Sequence, residues 1–182
     1  MAIERELKFR LAPNALSRAA RLLPAASRPR RRRVDSIYYD TPDLRLAAAR
    51  AALRVRRDGR SWLQALKAPH GAQTALAERM EWEMPAPRGR LDAALFPREA
   101  VRAATGLDLV RLAPQLRPVF ATRFERRSAL LRLGQGVRAE ACIDRGSIEA
   151  GGARERILEL ELELLEGDLA ALIGLADTLV EP

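Results

Sequence analysis

The chain has 182 residues, 48% of them hydrophobic, which predicts one domain with room for a core. Its net charge of +8 indicates an anionic partner, and charge alone leaves nucleic acid, polyphosphate, a nucleotide and a membrane surface open. A single cysteine, Cys142, excludes an internal disulfide, and no stretch approaches the ~18 apolar residues of a membrane span. The first six residues lack the hydrophobic region of a signal peptide, so we expect a cytoplasmic protein without membrane spans.

The first predicted strand, 3–11, carries its charges on one face. Successive side chains of a strand point to opposite sides. One face therefore has Glu4, Glu6, Lys8 and Arg10. The other has Ile3, Leu7 and Phe9. Two carboxylates and an ammonium on one face are candidates for a metal and phosphate site, although an exposed face of alternating ion pairs would show the same pattern.

The next elements alternate between helices and strands. A helix is predicted from Pro13 to residue 23, where Pro24 ends it, and the arginine run 30–33 is expected to be a solvated loop rather than a nucleic-acid patch. A strand over 34–39 leads into the turn 40–43 and a short helix over 44–51. The pair Asp58-Gly59 predicts a hairpin between strands 52–57 and 61–67.

The second half continues in the same way. We predict a strand over 75–84, a helix over 91–105, a long strand over 119–133, its hairpin partner over 136–144 and a last strand over 157–165. Asp168 begins a terminal helix that runs to about Val180. The chain thus has about eight strands, mostly antiparallel neighbours.

Charge recurs on single faces of these strands. In the last strand Glu159, Glu161 and Glu163 alternate with leucines, and Arg54 and Arg56 share a face of their strand. A sheet with so ionic a face could close into a barrel with a charged lumen, with helices covering its apolar outside. Clustered cations repel and clustered carboxylates take up protons, so Mg²⁺ or Mn²⁺ together with a polyanion would neutralise both sets. The faces therefore point to a metal plus a phosphate chain.

The chain also resembles the CYTH domain family, the triphosphate tunnel metalloenzymes, in the order of its motifs. The run Glu4-Arg-Glu-Leu-Lys8 is similar to the ExExK signature of that family, which alone would be a weak match. Further similar elements follow along nearly the whole chain: Tyr38-Tyr-Asp-Thr-Pro-Asp43, Leu53-Arg-Val-Arg56, Ala65-Leu-Lys67 with alanine where threonine is usual, Arg79-Met-Glu81, the strand from Phe120 to Arg126, Glu140 with Asp144-Arg-Gly146, and Glu159-Leu-Glu-Leu-Glu163 with Gly167-Asp168.

The resemblance implies an α+β fold in which an eight-stranded antiparallel β-barrel forms a tunnel with helices packed outside. It also implies metal-dependent hydrolysis of inorganic triphosphate, with Mg²⁺ or Mn²⁺ as cofactor. The residues that would bind phosphate oxygens are Lys8, Arg54, Arg56, Lys67, Arg79 and Arg126. Those that would hold metal are Glu4, Glu6, Asp144, Glu159 and Glu161. Glu4, Glu6 and Lys8 would be catalytic, and we expect Glu4 and Glu6 to face Glu159 and Glu161 across the metal.

Two alternatives stay open at this point. The same tunnel could hydrolyse thiamine or nucleoside triphosphates or cyclise ATP, or it could be a non-catalytic polyphosphate-binding module. Bacterial inorganic triphosphatases of this family often carry a CHAD domain after this one, and usually continue into a Ser-Lys-x-x-Arg-Gly element. The sequence given ends at Glu181-Pro182, so we interpret 1–182 as a single CYTH domain that is shortened at its C-terminus or part of a longer chain.

Six further residues receive simpler interpretations. We expect His70 to be a turn residue and Cys142 to have no nucleophilic role. Tyr38 and Tyr39 are expected to pack under the Thr-Pro turn. Glu83 and Glu163 are expected to line only the rim of the tunnel.

Overall fold

A computed structural model describes residues 2–21, 29–70, 77–134 and 136–180. The strands within these ranges are β1 Ala2–Arg10, β2 Arg30–Asp40, β3 Ala52–Asp58, β4 Ser61–Pro69, β5 Ala77–Pro85, β6 Arg117–Arg132, β7 Arg138–Ala150 and β8 Ala153–Glu166. The α-helices are α1 Leu16–Ala20, α2 Arg45–Ala48, α3 Arg98–Thr105, α4 Leu109–Leu112 and α5 Leu169–Val180.

The eight strands close into a barrel in the order β1-β5-β4-β3-β2-β6-β7-β8. Every neighbouring pair is antiparallel. The barrel closes where β1 pairs with β8, with Lys8 opposite Glu161, and on its other side β1 pairs with β5, with Glu4 opposite Arg79. Among the described strands, closure removes the two edges that an open sheet would have, although the ends of longer strands such as β2 run past a neighbour. The predicted eight-stranded antiparallel barrel with helices outside is confirmed.

The hydrophobic core lies outside the barrel wall, in two clusters. In the first, α3 and α4 and the segments around them cover β3, β4 and β5, and Leu53, Leu66 and Val101 are almost fully buried. In the second, α1 and α5 pack on β1, β7 and β8 around Leu162 and Leu172. Each buried leucine stabilises the fold by roughly 1.5–3 kcal/mol. Because the apolar faces turn outward to these helices, the charged faces of the strands line the lumen.

The turn after β2 is fixed by the buried carboxylate of Asp40. Oδ1 accepts hydrogen bonds from the backbone N–H groups of Thr41 (2.7 Å) and Leu46 (2.8 Å), and Oδ2 accepts one from Ala47 (2.9 Å). Leu44 stands in the left-handed region, with a φ of 56°. The predicted turn and short helix are therefore present, and they direct the chain from β2 into β3.

Three elements are longer than predicted. The arginine run 30–33 is not a loop, because it pairs with β6, Arg30 opposite Ser128 and Arg33 opposite Glu125. Four consecutive arginines show no alternation of polar and apolar residues, so the local pattern did not indicate a strand. The strand forms because the long strand β6 pairs with these residues. Likewise β7 and β8 extend to a tight turn at Gly151-Gly152, and residues 145–156 were wrongly left outside the strands.

The predicted helices are shorter or divided. The helix over 91–105 is interrupted: Ala93–Leu95 is a 3₁₀ turn and α3 begins only after Pro97, which fixes its own φ and lacks an N–H. The helix α4 was not predicted. The predicted end of the first helix (22–24), the start of the strand at 75–76 and the C-terminal Glu181-Pro182 lie outside the described residues. No described helix has the length and apolar character needed to cross a bilayer.

Candidate functional site

The lumen of the barrel is a cavity of about 680 Å³ whose wall includes side chains from all eight strands. Every residue proposed from the sequence for catalysis, phosphate or metal lines this one cavity: Glu4, Glu6, Lys8, Arg54, Arg56, Lys67, Arg79, Arg126, Asp144, Glu159 and Glu161. They come from β1, β3, β4, β5, β6, β7 and β8, and the period of two in each strand turns them inward. The structure thus brings the whole set together, while the role of each residue stays a prediction.

One network of charges centres on Glu161. Its carboxylate accepts hydrogen bonds from Lys8 Nζ (2.9 Å) and from Arg126. Arg126 also donates to both oxygens of Asp144, at 2.8 and 2.6 Å, and Lys8 lies 2.8 Å from Glu159. Burial alone would raise the pKa of Glu161, but Arg126 and Lys8 outweigh it and lower that pKa. Glu161 is therefore held ionised between two cations.

A second set of ion pairs links β1, β5, β4 and β3. Lys67 donates to Glu4, and its Nζ is 4.0 Å from Glu81. Arg54 lies 3.5 Å from the same Glu81. On the next inward position of β3, Arg56 donates to Glu83 at 2.7 Å. Cations and carboxylates thus alternate around the lumen, and each cation could exchange its carboxylate for a phosphate oxygen.

Three carboxylates in the lumen have no ion pair among the described residues: Glu6, Glu140 and Glu163. Burial raises the pKa of Glu6, and Glu4 and Glu161 add to the effect. Burial raises the pKa of Glu163 to about 7, with Glu4 and Glu140 contributing. Negative charge is therefore undercompensated near Glu4, Glu6 and Glu163, which makes this part of the wall attractive to a cation.

The lumen carboxylates fit a hard divalent cation in chemistry, because Mg²⁺ and Mn²⁺ prefer oxygen ligands. Within the described ranges, however, no three His, Cys, Asp or Glu side chains are already arranged as a metal site. Asp144, Glu159 and Glu161 are bonded to Arg126 and Lys8 instead. Metal binding there would require those cations to move to another anion, which a bound phosphate chain would supply.

The expected position of the first-strand carboxylates is wrong in one respect. β1 and β8 are hydrogen-bonded neighbours, with Glu6 opposite Glu163 and Lys8 opposite Glu161. Glu4 and Glu6 therefore stand beside the acidic residues of β8 along one wall, and do not face them across the lumen. The sequence could not show this, since it does not tell which strands close the barrel.

One end of the lumen is aromatic and aliphatic. The rings of Tyr38 and Phe120 stack with their centroids 4.3 Å apart, and Ile148 and Ile157 line the same cavity. The expectation that Tyr38 packs under the Thr-Pro turn is wrong, because β2 turns it inward opposite Phe120, whereas Tyr39 packs against the first cluster. Phe120 shares its strand face with Arg126, so the alternation in β6 already indicated an inward ring.

Several residues that the sequence analysis placed at the rim, or gave no role in the site, also have defined positions. Glu83 and Glu163 line the cavity itself, as do Glu81, Glu140 and Arg32. Cys142 also lines it, and burial raises the pKa of its thiol, which keeps the thiol protonated. His70 lies just past β4, where its backbone N–H donates to the carbonyl of Glu78 at 3.1 Å.

Comparisons with known proteins agree with this geometry. The family model of the CYTH domain matches residues 2–181. An inorganic triphosphatase of Haemophilus influenzae is 30% identical over 147 residues, which is 78% of this chain and 39% of that protein. The chain therefore spans about two-fifths of the length of that relative.

Two solved structures share the fold at low identity. A putative adenylate cyclase from Bacillus halodurans matches with a TM-score of 0.63 at 19% identity, over 98% of this chain and 90% of that one. A putative adenylyl cyclase from Hippeastrum, described as having a dominant triphosphatase activity, matches with a TM-score of 0.61 at 20% identity, over 96% and 85% of the two chains. At these identities the matches establish the fold alone.

Proposed function

Because the chain belongs to the CYTH domain family, we propose that it hydrolyses a phosphoanhydride bond of inorganic triphosphate inside the barrel lumen. The observation that carries the proposal is the convergence of seven cationic side chains and nine carboxylates on one cavity of about 680 Å³. The Haemophilus influenzae relative, itself an inorganic triphosphatase, supports this choice of substrate. A lumen of both signs suits a polyanion bound together with a divalent cation.

Binding would proceed by an exchange of partners. The phosphate oxygens would take Lys8, Arg54, Arg56, Lys67, Arg79 and Arg126. Arg126 and Arg56 can each offer two parallel N–H groups to a phosphate, which gives orientation as well as charge. The carboxylates released from these cations, Glu4, Asp144, Glu159 and Glu161, would join Glu6 in holding Mg²⁺ or Mn²⁺.

Catalysis would then depend on charged side chains that the folded lumen already holds in position around the phosphate chain. A bound divalent ion would neutralise phosphate oxygens and lower the pKa of a water bound to it. Glu4 and Glu6 would orient the attacking water and take its proton. Lys8 and the lumen arginines would stabilise the negative charge that grows on the bridging oxygen as the bond to the terminal phosphorus breaks.

A second candidate is hydrolysis of an organic triphosphate. The end of the lumen formed by Tyr38, Phe120, Ile148 and Ile157 offers apolar contact to a thiazole or a base, which inorganic triphosphate does not use. A panel of inorganic, nucleoside and thiamine triphosphates, scored by kcat/KM, separates the two candidates. Cyclisation of ATP would appear in the same panel as release of pyrophosphate with a cyclic nucleotide.

The deciding experiment is phosphate release from inorganic triphosphate with Mg²⁺ or Mn²⁺. We expect Glu6→Gln and Lys8→Ala to abolish turnover. Their controls on the outer wall are Glu78→Gln and Arg5→Ala, whose side chains form an exposed pair at 2.9 Å, and these variants should keep wild-type activity. No turnover with any divalent ion would refute the proposal, and tight polyphosphate binding without turnover would identify a binding module.

A further inference from the structure

The outer wall of the barrel has a groove of about 580 Å³ over β2, β6, β7 and β8. Its arginines are Arg31, Arg32, Arg33, Arg123, Arg145 and Arg154. Its acidic residues are Glu125 and Glu149. None of these eight residues belongs to either hydrophobic cluster, so this face of the wall lies apart from the helices.

Internal ion pairs neutralise only part of this charge. Arg33 pairs with Asp35 at 3.1 Å, and Glu149 is shared by Arg123 at 2.7 Å and Arg154 at 3.9 Å. Across the described ranges, Arg31 and Arg145 are exposed and have no ion pair. The groove therefore holds six guanidinium groups against two carboxylates, Glu149 and Glu125, the second of which stands opposite Arg33 and Arg145 in the sheet. Arg31 and Arg145 are the groups we expect to bind an external anion.

The groove lies on the outer face of the same stretch of wall whose inner face lines the lumen. At this end β2 runs past its neighbour β3: the β2–β3 pairing begins at Val34, so among the described strands Arg30 to Arg33 are paired only with β6 and leave an edge over which the lumen meets the outer face. Arg32 and Phe124 line both cavities. On β2 the period of two turns Arg32 inward and sends Arg31 and Arg33 outward on either side of it. An anionic chain that leaves the lumen past Arg32 would thus meet the outer arginines directly.

We propose that this groove binds the distal part of a linear inorganic polyphosphate whose end occupies the lumen, so that chains longer than triphosphate are ligands of the same protein. The proposal rests on the proposed function, since it assumes that the lumen takes a phosphate chain. Phosphate oxygens along such a chain match guanidinium groups carried by neighbouring strands, which lie about 4.8 Å apart.

The groove suits polyphosphate better than nucleic acid. Single-stranded nucleic acid gains much of its affinity from bases that stack on exposed aromatic rings. Of the described residues lining the groove, only Phe124 is aromatic, and its ring lies under the guanidinium of Arg126 in the lumen, 5.5 Å from the ring centroid. The groove thus offers charge without a stacking platform.

The test compares binding of long-chain polyphosphate and of triphosphate by titration calorimetry in the presence of a chelator, so that no hydrolysis occurs. The groove variant is Arg31→Gln/Arg145→Gln, and the control with the same loss of charge is Arg60→Gln/Arg102→Gln, two exposed arginines away from the groove. We expect the groove variant to bind long chains about tenfold more weakly, with a log–log salt slope smaller by roughly two, in excess of any change for triphosphate. The control should stay close to wild type.

Three results would overturn the proposal. Equal losses in the two double variants would mean a general effect of net charge. Equal losses for triphosphate and long chains in the groove variant would mean that the groove does not contact the distal part. A single-stranded oligonucleotide that displaces polyphosphate and depends more strongly on Arg31 and Arg145 would identify nucleic acid as the occupant. Absence of triphosphate turnover would refute the proposed function but leave this binding measurement intact.

Discussion

Replacing Arg126 with glutamine should destabilise the folded protein strongly, apart from any effect on substrate. Arg126 makes two hydrogen bonds to Asp144 and one to Glu161, and the side chains of Arg126 and Asp144 are only 16% and 2% exposed. Removing one partner of a buried ion pair costs about 3–5 kcal/mol. The lumen admits water, and Lys8 still forms an ion pair with Glu161 in the variant. We therefore expect a loss of free energy of unfolding at the lower end of that range, about 3 kcal/mol, which lowers Tm by roughly 6–12 °C.

The loss should depend on pH. Burial already raises the pKa of Asp144 above its ordinary value of 3.8, and Arg126 opposes that rise, so the variant should raise it further. An acid whose folded-state pKa is raised binds its proton more tightly when folded, so stability increases as pH falls from the raised pKa towards 3.8. The deficit of the variant should therefore shrink at acidic pH, and Arg126→Gln/Asp144→Asn should recover part of the loss at neutral pH.

Urea unfolding followed by the fluorescence of Trp62 and Trp82 measures this directly. The matched control is Arg123→Gln on the same strand, whose side chain is 54% exposed in a pair with Glu149 and whose removal should cost less than about 0.5 kcal/mol. If Arg126→Gln loses no more free energy of unfolding than Arg123→Gln, or if its deficit does not change with pH, the reasoning about the lumen network is refuted.

Three other variants test separate features. A Cβ at Gly146 would overlap the carbonyl oxygen of Arg123 and lie 2.5 Å from Phe124 Cα, so Gly146→Ala should lower the free energy of unfolding in urea by about 3 kcal/mol. The control Gly174→Ala, whose Cβ would have nothing within 4 Å, should be neutral or stabilising, and equal effects of the two variants would contradict this. Asp40→Ala leaves three backbone N–H groups without their acceptor and should lower the free energy of unfolding by about 3 kcal/mol. The control Asp43→Ala, at an exposed position, should lower it by less than about 0.5 kcal/mol, and an equally small loss for Asp40→Ala would show that water replaces the carboxylate. Because the folded-state pKa of Glu163 is about 7 against an ordinary 4.5, the free energy of unfolding should fall as pH rises between these values, and Glu163→Gln should flatten that part of the profile; superimposable profiles would rule the effect out.

The period of two made the wall of the lumen predictable from sequence. Over residues 3–9 of β1 and 158–164 of β8 each inward position is charged and each outward position except Arg5 is apolar, so Glu6 and Glu161 could be assigned to a face without coordinates. Motif order along the chain then supplied the family and, through it, the closed barrel. What the pattern could not supply was the order of strands around the barrel, and with it the side-by-side placement of Glu6 and Glu163.

The misplaced elements have separate physical causes. Strand formation at Arg30 to Arg33 depends on long-range partners in β6, and the arginine run carries no local preference that reveals it. Strand formation at Arg154 to Arg156 is local, across the turn Gly151-Gly152, and that glycine pair was an overlooked hairpin signal. Tyr38 was misplaced because its neighbour in the turn suggested local packing, whereas the barrel turns it towards Phe120. The cytoplasmic location and a CHAD partner stay predictions.

The pairing of β1 with β8 also fixes when the lumen can form during folding. Lys8 and Glu161 are 153 positions apart in sequence, so β1 must wait for β8 to be synthesised before the barrel closes. Contacts of such long range make folding slow, on a scale of roughly milliseconds to seconds. Until closure the inner faces of the strands are open to water, and their charges are well solvated there. A nascent chain of this design therefore exposes a hydrophilic surface on the side that is completed last, which should protect it from aggregation while it waits.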